Sequence, residues 1–197
     1  MSVALSSLIE MTEEDENVLK KILSTFTCNR DKDIDYFLHE KSIEFEKLGK
    51  ARTYLICNQE QLDKKDFCLD QLLICGYITL ALKVLSVPPE TSINTRKKLD
   101  GLSGKIHGKA IENFPCYLIG QLARNDSVTK KMLPGEELLR FSYDIIATVV
   151  EAIGGRYIMI ECRDEEGLLS FYSQNDFKRM SESSDGDHLQ IQMIRKI

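Results

Sequence analysis

The stretch from Pro115 to Gly154 holds the residues with the clearest chemical potential. The apolar run Pro115-Cys-Tyr-Leu-Ile-Gly-Gln-Leu-Ala leads into Arg124-Asn-Asp, a polar loop, and then Lys130-Lys-Met-Leu-Pro-Gly-Glu-Glu-Leu-Leu. A glycine, Gly135, thus sits where a helix begins after a strand and a loop. Backbone N–H groups at such a start, with the positive end of the helix dipole, suit an anion, typically a phosphate. One glycine does not separate this from the many strand–loop–helix units that bind nothing. Elsewhere, six cysteines are scattered with no C-x-x-C pair and no histidine at ligand spacing. That pattern predicts no metal site and reduced, partly buried thiols in a cytoplasmic protein.

The 197 residues are 43% hydrophobic and 29% charged, enough for one domain with a full core. The net charge of −5 gives no global support for a nucleic-acid binder. A local basic cluster exists at Arg96, Lys97 and Lys98 with Lys105 and Lys109. The N-terminus has no basic run followed by a sustained apolar one, so it does not read as a signal peptide. No window approaches the ~20 apolar residues that a bilayer requires, which predicts no membrane partner.

The elements that must position the glycine follow from periodicity. Val3 to Met11 reads as a first strand, and Thr12-Glu-Glu-Asp resembles a capping box opening a helix from Glu13 to Thr25. A second helix runs from Ile34 to Leu48 and stops at Gly49. Ala51 to Cys57 and Leu72 to Leu85 read as a hairpin around the polar loop Asn58 to Asp70, with Gly76 marking a bulge or a close backbone approach. Residues 90–113 read as a long variable loop with one short helix near Asn94 to Asp100. Phe114 to Ala123 is a buried strand. Gly135 opens a helix striped with Leu138, Leu139, Ile145, Ile146, Val149, Val150 and Ile153. Arg156 to Cys162 is a strand, Asp164 caps a short helix through Tyr172, and Phe177 begins another strand. Ser181 to Asp187 reads as a turn before a last strand, Leu189 to Ile197. The order β-α-α-β-β-(loop)-β-α-β-α-β-β predicts a mixed α/β (α+β) fold, a single domain over 1–197.

That order and two local patterns resemble the GNAT acyltransferase superfamily. The strand–loop–helix of Leu118-Ile-Gly-Gln-Leu-Ala, then Gly135-Glu-Glu-Leu-Leu, resembles the family's strand and pyrophosphate loop, Q/R-x-x-G-x-G/A, before a helix beginning x-x-L-L. The segment Leu169-Ser-Phe-Tyr-Ser-Gln-Asn-Asp-Phe looks like the family's F-Y-x-x-x-G-F, with Asp176 in place of the glycine. Phe26-Thr-Cys-Asn-Arg-Asp-Lys-Asp-Ile-Asp-Tyr-Phe-Leu resembles the subgroup containing acetyltransferase toxins and their non-toxin bacterial relatives. Arg52-Thr-Tyr-Leu-Ile and Gly76-Tyr-Ile-Thr-Leu match that subgroup's second and third strands. The resemblance implies a central, twisted, mostly antiparallel sheet of about seven strands flanked by helices. In the loop, Lys130 stands at the Q/R position and Leu133 replaces the first glycine.

The resemblance also implies an activity: transfer of an acetyl (acyl) group from acetyl-CoA to a primary amine in a ternary complex. The Leu122 and Ala123 backbones would pair with the pantetheine arm. Lys130, Lys131, Leu133, Pro134, Gly135 and Glu136 would form the pyrophosphate loop, with N–H donors from about Lys131 to Glu136. Tyr172 would be the general acid. A phenol (pKa ~10) is protonated at neutral pH and can donate to a departing thiolate (pKa ~8.5). The base is open. A lysine-type amine is neutral in only about one part in 2,500 at pH 7. Glu161 is a candidate relay, although a cross-strand partner is its commoner role, and Cys162 as a nucleophile lacks a paired histidine. The acceptor is a small-molecule or protein amine, with tRNA disfavoured by the acidic charge. A homodimer is left open. The competing readings are a non-catalytic, partner-binding module and a toxin acetylating aminoacyl-tRNA.

Overall fold

A computed structural model describes residues 1–12, 15–58, 60, 69–185 and 188–197. Its strands and helices, in order, are β1 (Ser2–Ala4), α1 (Leu5–Met11), α2 (Glu16–Leu23), α3 (Lys32–Tyr36), a π-helical turn (Phe37–Lys41), α4 (Ser42–Lys47), β2 (Arg52–Cys57) and β3 (Ile74–Ser86). Then come α5 (Ile93–Asp100), β4 (Lys105–Ile106), β5 (Lys109–Ala110), β6 (Asn113–Arg124), α6 (Gly135–Ile153), β7 (Tyr157–Arg163), α7 (Glu166–Gln174), β8 (Lys178–Asp185) and β9 (His188–Lys196). Seven strands form a mostly antiparallel sheet in the order β1-β2-β3-β6-β7-β9-β8, and β4-β5 is a separate ribbon. The expected α+β class is the observed one.

The chain parts into two compact units. The first comprises Met1–Ala81 with Ile119–Ala152, and the second Leu82–Leu118 with Ile153–Ile197. Strands β3 and β6 each run from one unit into the other.

In the first unit, alternation along β2 sends Leu55 and Cys57 to one face and Tyr54 and Ile56 to the other. Leu55 and Cys57 join a core with Leu5, Leu8, Leu19, Ile22, Leu23, Phe26 and Tyr77. The Phe26 and Tyr77 rings meet edge-on at 5.0 Å, a preferred aromatic geometry. The register between β2 and β3 slips so that Ile56 faces Gly76 while Cys57 faces Ile74. Cys75 is therefore the extra residue of a bulge, which lets Ile74 and Tyr77 share a face. On the opposite face Ile56 and Ile78 pack with Val128, Leu133 and Leu138.

Several expected boundaries change. The predicted first strand ends at Ala4, and Leu5, Leu8 and Ile9 are all buried along a helix. Their i, i+3, i+4 spacing is helical, and a three-residue strand is too short to show its own period. Asp15, not Thr12, caps α2, accepting from the Asn17 and Val18 N–H groups. Glu13 lies outside the described residues, as does most of Asn58 to Asp70, although β2 and β3 do pair antiparallel.

In the second unit, Leu85, Val87, Leu99, Phe114, Cys116, Tyr157, Met159 and Ile194 form the core. Residues 90–113 are more ordered than a long loop. Helix α5 is capped by Ser92, and the β4–β5 ribbon turns at His107 and Gly108 with φ of 49° and 80°, values that suit a two-residue hairpin turn. Arg96, only 3% exposed, fastens this segment from within. Its guanidinium donates to the carbonyls of Thr91, Pro88, Pro89 and Ile111. The predicted turn from Ser181 is instead strand: β8 stays in register with β9 as far as Asp185 opposite His188. Ser and Asp read as turn formers, but cross-strand pairing overrides that preference. Helix α7 starts after Glu165 rather than from an Asp164 cap.

Candidate functional site

The loop after β6 is fastened before it reaches α6. Asn125 is fully buried, and its amide donates to the carbonyls of Thr25 and Ile74 at 2.7 Å each. Its side-chain oxygen accepts from the Ser127 N–H and hydroxyl at 3.0 Å. Asp126 accepts from the Asn29 backbone and side chain, both at 2.7 Å. Neither residue stands out in the sequence. The cluster Asn125-Asp126-Ser127 was their only signal, as an Asx-type turn.

Leu133, which the resemblance puts in the pyrophosphate loop, turns its side chain inward. Its side chain is buried with Ile56, Ile78, Val128 and Leu138. Gly76 makes the room: a Cβ there would lie 2.7 Å from the Ala123 carbonyl oxygen and 2.9 Å from Leu133 Cδ2. The donor set is smaller than expected. The N–H groups of Met132 and Leu133 already bond the Thr129 carbonyl at 3.0 and 3.1 Å, and Pro134 has no N–H. Leu133 and Pro134 therefore cannot serve as the N–H donors the resemblance implied. Gly135 and Glu136 lie in the first turn of α6, whose N–H groups have no intrahelical acceptor. Lys130 and Lys131 are exposed beside them, Leu122 is half-buried, and Ala123 is buried.

Two acidic residues open α6. Glu137 is ion-paired with Arg140, which holds its carboxyl below the usual range chiefly through that hydrogen bond. Glu136 is exposed.

In the second unit Tyr172 is the buried residue of α7. Its ring sits edge-on between Phe171 at 5.1 Å and Phe177 at 5.6 Å. The chain then turns sharply. The Phe177 N–H returns to the Tyr172 carbonyl at 3.0 Å, and Asp176 adopts φ of 66°. That left-handed conformation favours glycine but is tolerated by aspartate. Asp176 thus takes the backbone shape that a glycine would supply there.

Glu161 belongs to a polar line across the same unit's sheet. It accepts from Lys83 Nζ at 2.5 Å and from the Gln192 amide at 2.8 Å, while the Gln192 oxygen accepts from the Ser181 hydroxyl at 2.5 Å. Glu161 and Gln192 are direct cross-strand partners. Both carboxylate oxygens are engaged. Neither Lys83 nor Ser181 was singled out from sequence, because nothing local links them to β7.

Cys162 is buried, and its thiol is pushed up to about 11 by burial, then by the charges of Asp164 and Glu165. Burial likewise raises Cys57 to about 12 and Cys116 to about 11. A thiol so protonated is a poor nucleophile. Iodoacetamide footprinting of the native protein at pH 8 should therefore leave Cys57, Cys116 and Cys162 unmodified, while Cys75, half-exposed although burial raises its thiol too, reacts slowly. Rapid alkylation of Cys162 would contradict this. Because these folded values exceed the unfolded ~8.5, folding holds the protons more tightly. The linked stability is complete below about pH 8.5 and is lost as pH rises towards 11–12.

Among the described residues no group of three His, Cys, Asp or Glu side chains gathers as a metal site. No helix there is long and apolar enough to cross a membrane.

No protein-family model matches the chain, and no curated protein does. Solved structures do. A tyrosine-to-phenylalanine mutant of the AtaT toxin superposes with a TM-score of 0.61 at 17% identity, over 88% of this chain and 82% of that one. AtaTR bound with AcCoA gives 0.59 at 19% identity, over 86% of each chain. AtaT complexed with acetyl-methionyl-tRNAfMet gives 0.57 at 18% identity, over 86% of this chain and 85% of that one. The chain has the GNAT-like fold of these toxins. At this identity the likeness concerns the fold, and the resemblance read from sequence points to the same subgroup.

Proposed function

We propose that this protein is an acetyl-CoA-dependent N-acetyltransferase that transfers the acetyl group directly to a primary amine. The observation that carries the reading is a fold shared over most of the chain with a structure bound to AcCoA. The buried side chain of Leu133 supports it, since the residue replacing the loop glycine leaves the backbone in front of α6 unobstructed. In this scheme the N–H groups of Gly135 and Glu136 receive the pyrophosphate, with Lys130 and Lys131 adding charge, and Leu122 and Ala123 flank the pantetheine arm. The amine nitrogen attacks the thioester carbonyl, the tetrahedral intermediate collapses with cleavage of the C–S bond, and the sulfur takes a proton from the Tyr172 hydroxyl. Glu161 serves the sheet as a cross-strand partner, and the amine loses its proton to water. The described cysteines are free thiols, which suits a reducing, cytoplasmic setting.

A second reading of the acceptor is favoured by one neighbour, AtaT complexed with acetyl-methionyl-tRNAfMet. It makes this chain a toxin acetylating aminoacyl-tRNA, against which stands the net charge of −5.

Millimolar acetyl-CoA should raise Tm by several degrees. Saturation a hundredfold above Kd adds about 2.7 kcal/mol, and each kcal/mol shifts a chain of this size by about 2–4 °C. Absence of any shift removes the reading in favour of a non-catalytic, partner-binding module. Release of free CoA with polyamines, peptide amines or methionyl-tRNA then names the acceptor.

A further inference from the structure

We infer that Arg124, at the end of β6, is a positioning residue that fixes the loop before α6 for a diphosphate and adds a half-buried cation to the exposed Lys130 and Lys131. The inference rests on the acetyl-CoA reading above.

Arg124 Nη1 donates to the Leu133 carbonyl at 3.2 Å. That carbonyl immediately precedes Pro134 and the first turn of α6. Left unbound, its negative end would compete with an anion for the same space; held by Arg124, it is neutralised. The Leu133 side chain is anchored at the same time against Ile78 and Leu138. Main chain and side chain of one residue are thus both fixed, which leaves Gly135 and Glu136 in a set orientation. Preorganised donors of this kind need no rearrangement when the ligand arrives.

The guanidinium is also short of partners. Its Nε is buried without a hydrogen-bond partner, and among the described residues no carboxylate forms an ion pair with Arg124. A half-buried cation with an unmet donor is unfavourable by itself. A diphosphate at the α6 N-terminus offsets that cost, since its charge neutralises the guanidinium across the loop. Glu136, exposed in the first turn of α6, makes a compensating positive group more necessary, not less.

The test measures acetyl-CoA affinity of the full chain by calorimetry at low and high NaCl, for wild type, Arg124→Gln and Arg124→Lys. S-acetylpantetheine, which lacks the phosphates, is the second probe, read as a thermal shift at millimolar concentration. Arg124→Gln should raise Kd for acetyl-CoA about tenfold or more and flatten its salt dependence, with the S-acetylpantetheine shift unchanged. Arg124→Lys, which keeps the charge, should recover part of the affinity and its salt dependence. An unchanged Kd in Arg124→Gln, or equal loss for both probes, overturns the inference. Should Arg124→Gln fail to fold, a salt-independent Kd in Arg124→Lys overturns it instead. If wild type itself binds no acetyl-CoA, the functional reading fails and the inference with it, a result distinct from a variant that binds normally.

Discussion

Tyr172→Phe is expected to lower the rate of CoA release by about a hundredfold or more while leaving acetyl-CoA affinity unchanged. A positioned general acid contributes roughly 10²–10⁴ in rate, and the substitution removes only the hydroxyl. The ring contacts with Phe171 and Phe177 are made by carbon atoms and persist in the variant. The turn that follows is held by backbone, through the Phe177 N–H to the Tyr172 carbonyl. Tm should therefore stay within a few degrees of wild type, which separates lost chemistry from lost structure. A variant with full activity would remove Tyr172 from the mechanism. One that is inactive but also cannot bind acetyl-CoA would make the residue a packing element.

The second large effect concerns stability. Gly76→Ala should destabilise the protein by about 1–2 kcal/mol, and Gly76→Val by about 3 kcal/mol or more. The new Cβ meets a backbone oxygen, that of Ala123 at 2.7 Å, which cannot rotate away. It also meets Leu133 Cδ2 at 2.9 Å and Leu138 Cδ2 at 3.2 Å. Replacing glycine stiffens the unfolded chain and returns up to about 1 kcal/mol, too little to offset the clash in valine. Urea unfolding at constant m-value measures the change. Gly167, in α7 with nothing within 4 Å of its would-be Cβ, is the control. Gly167→Ala should be neutral or mildly stabilising. Displacing Leu133 should also weaken acetyl-CoA binding in Gly76→Ala, so stability and affinity fall together there and not in the control.

Much of the fold could be read from the chain because its long elements carry their own period. The stripe through Leu138, Leu139 and Ile146 defined α6, and the short glycine-bounded run after Gly155 defined β7. The misread parts are those whose form is set by distant partners. The end of strand β8, from Ser181, is rich in turn formers and is strand because β9 pairs with it. Helix α1 is seven residues long and is held by burial of Leu5, Leu8 and Ile9. At the candidate site the sequence could name Leu133 as the departure from the glycine-rich loop. It could not say where that side chain goes, because the answer lies with Gly76, on another strand. The same holds for Glu161, whose neighbours Lys83 and Gln192 come from separate strands. Local pattern names a residue, and the sheet decides its surroundings.

The buried guanidinium of Arg96 divides the segment from Val87 to Ile111 into a fixed base and a free rim. Four carbonyls converge on that single side chain, whereas Lys97, Lys98, Lys105, His107 and Lys109 all face solvent. The base determines where the segment is mounted, and the rim determines only what it presents. Such a mount behaves as a cassette: foreign sequence grafted between Ile106 and Lys109 would be carried by the ribbon without reaching the core beneath it.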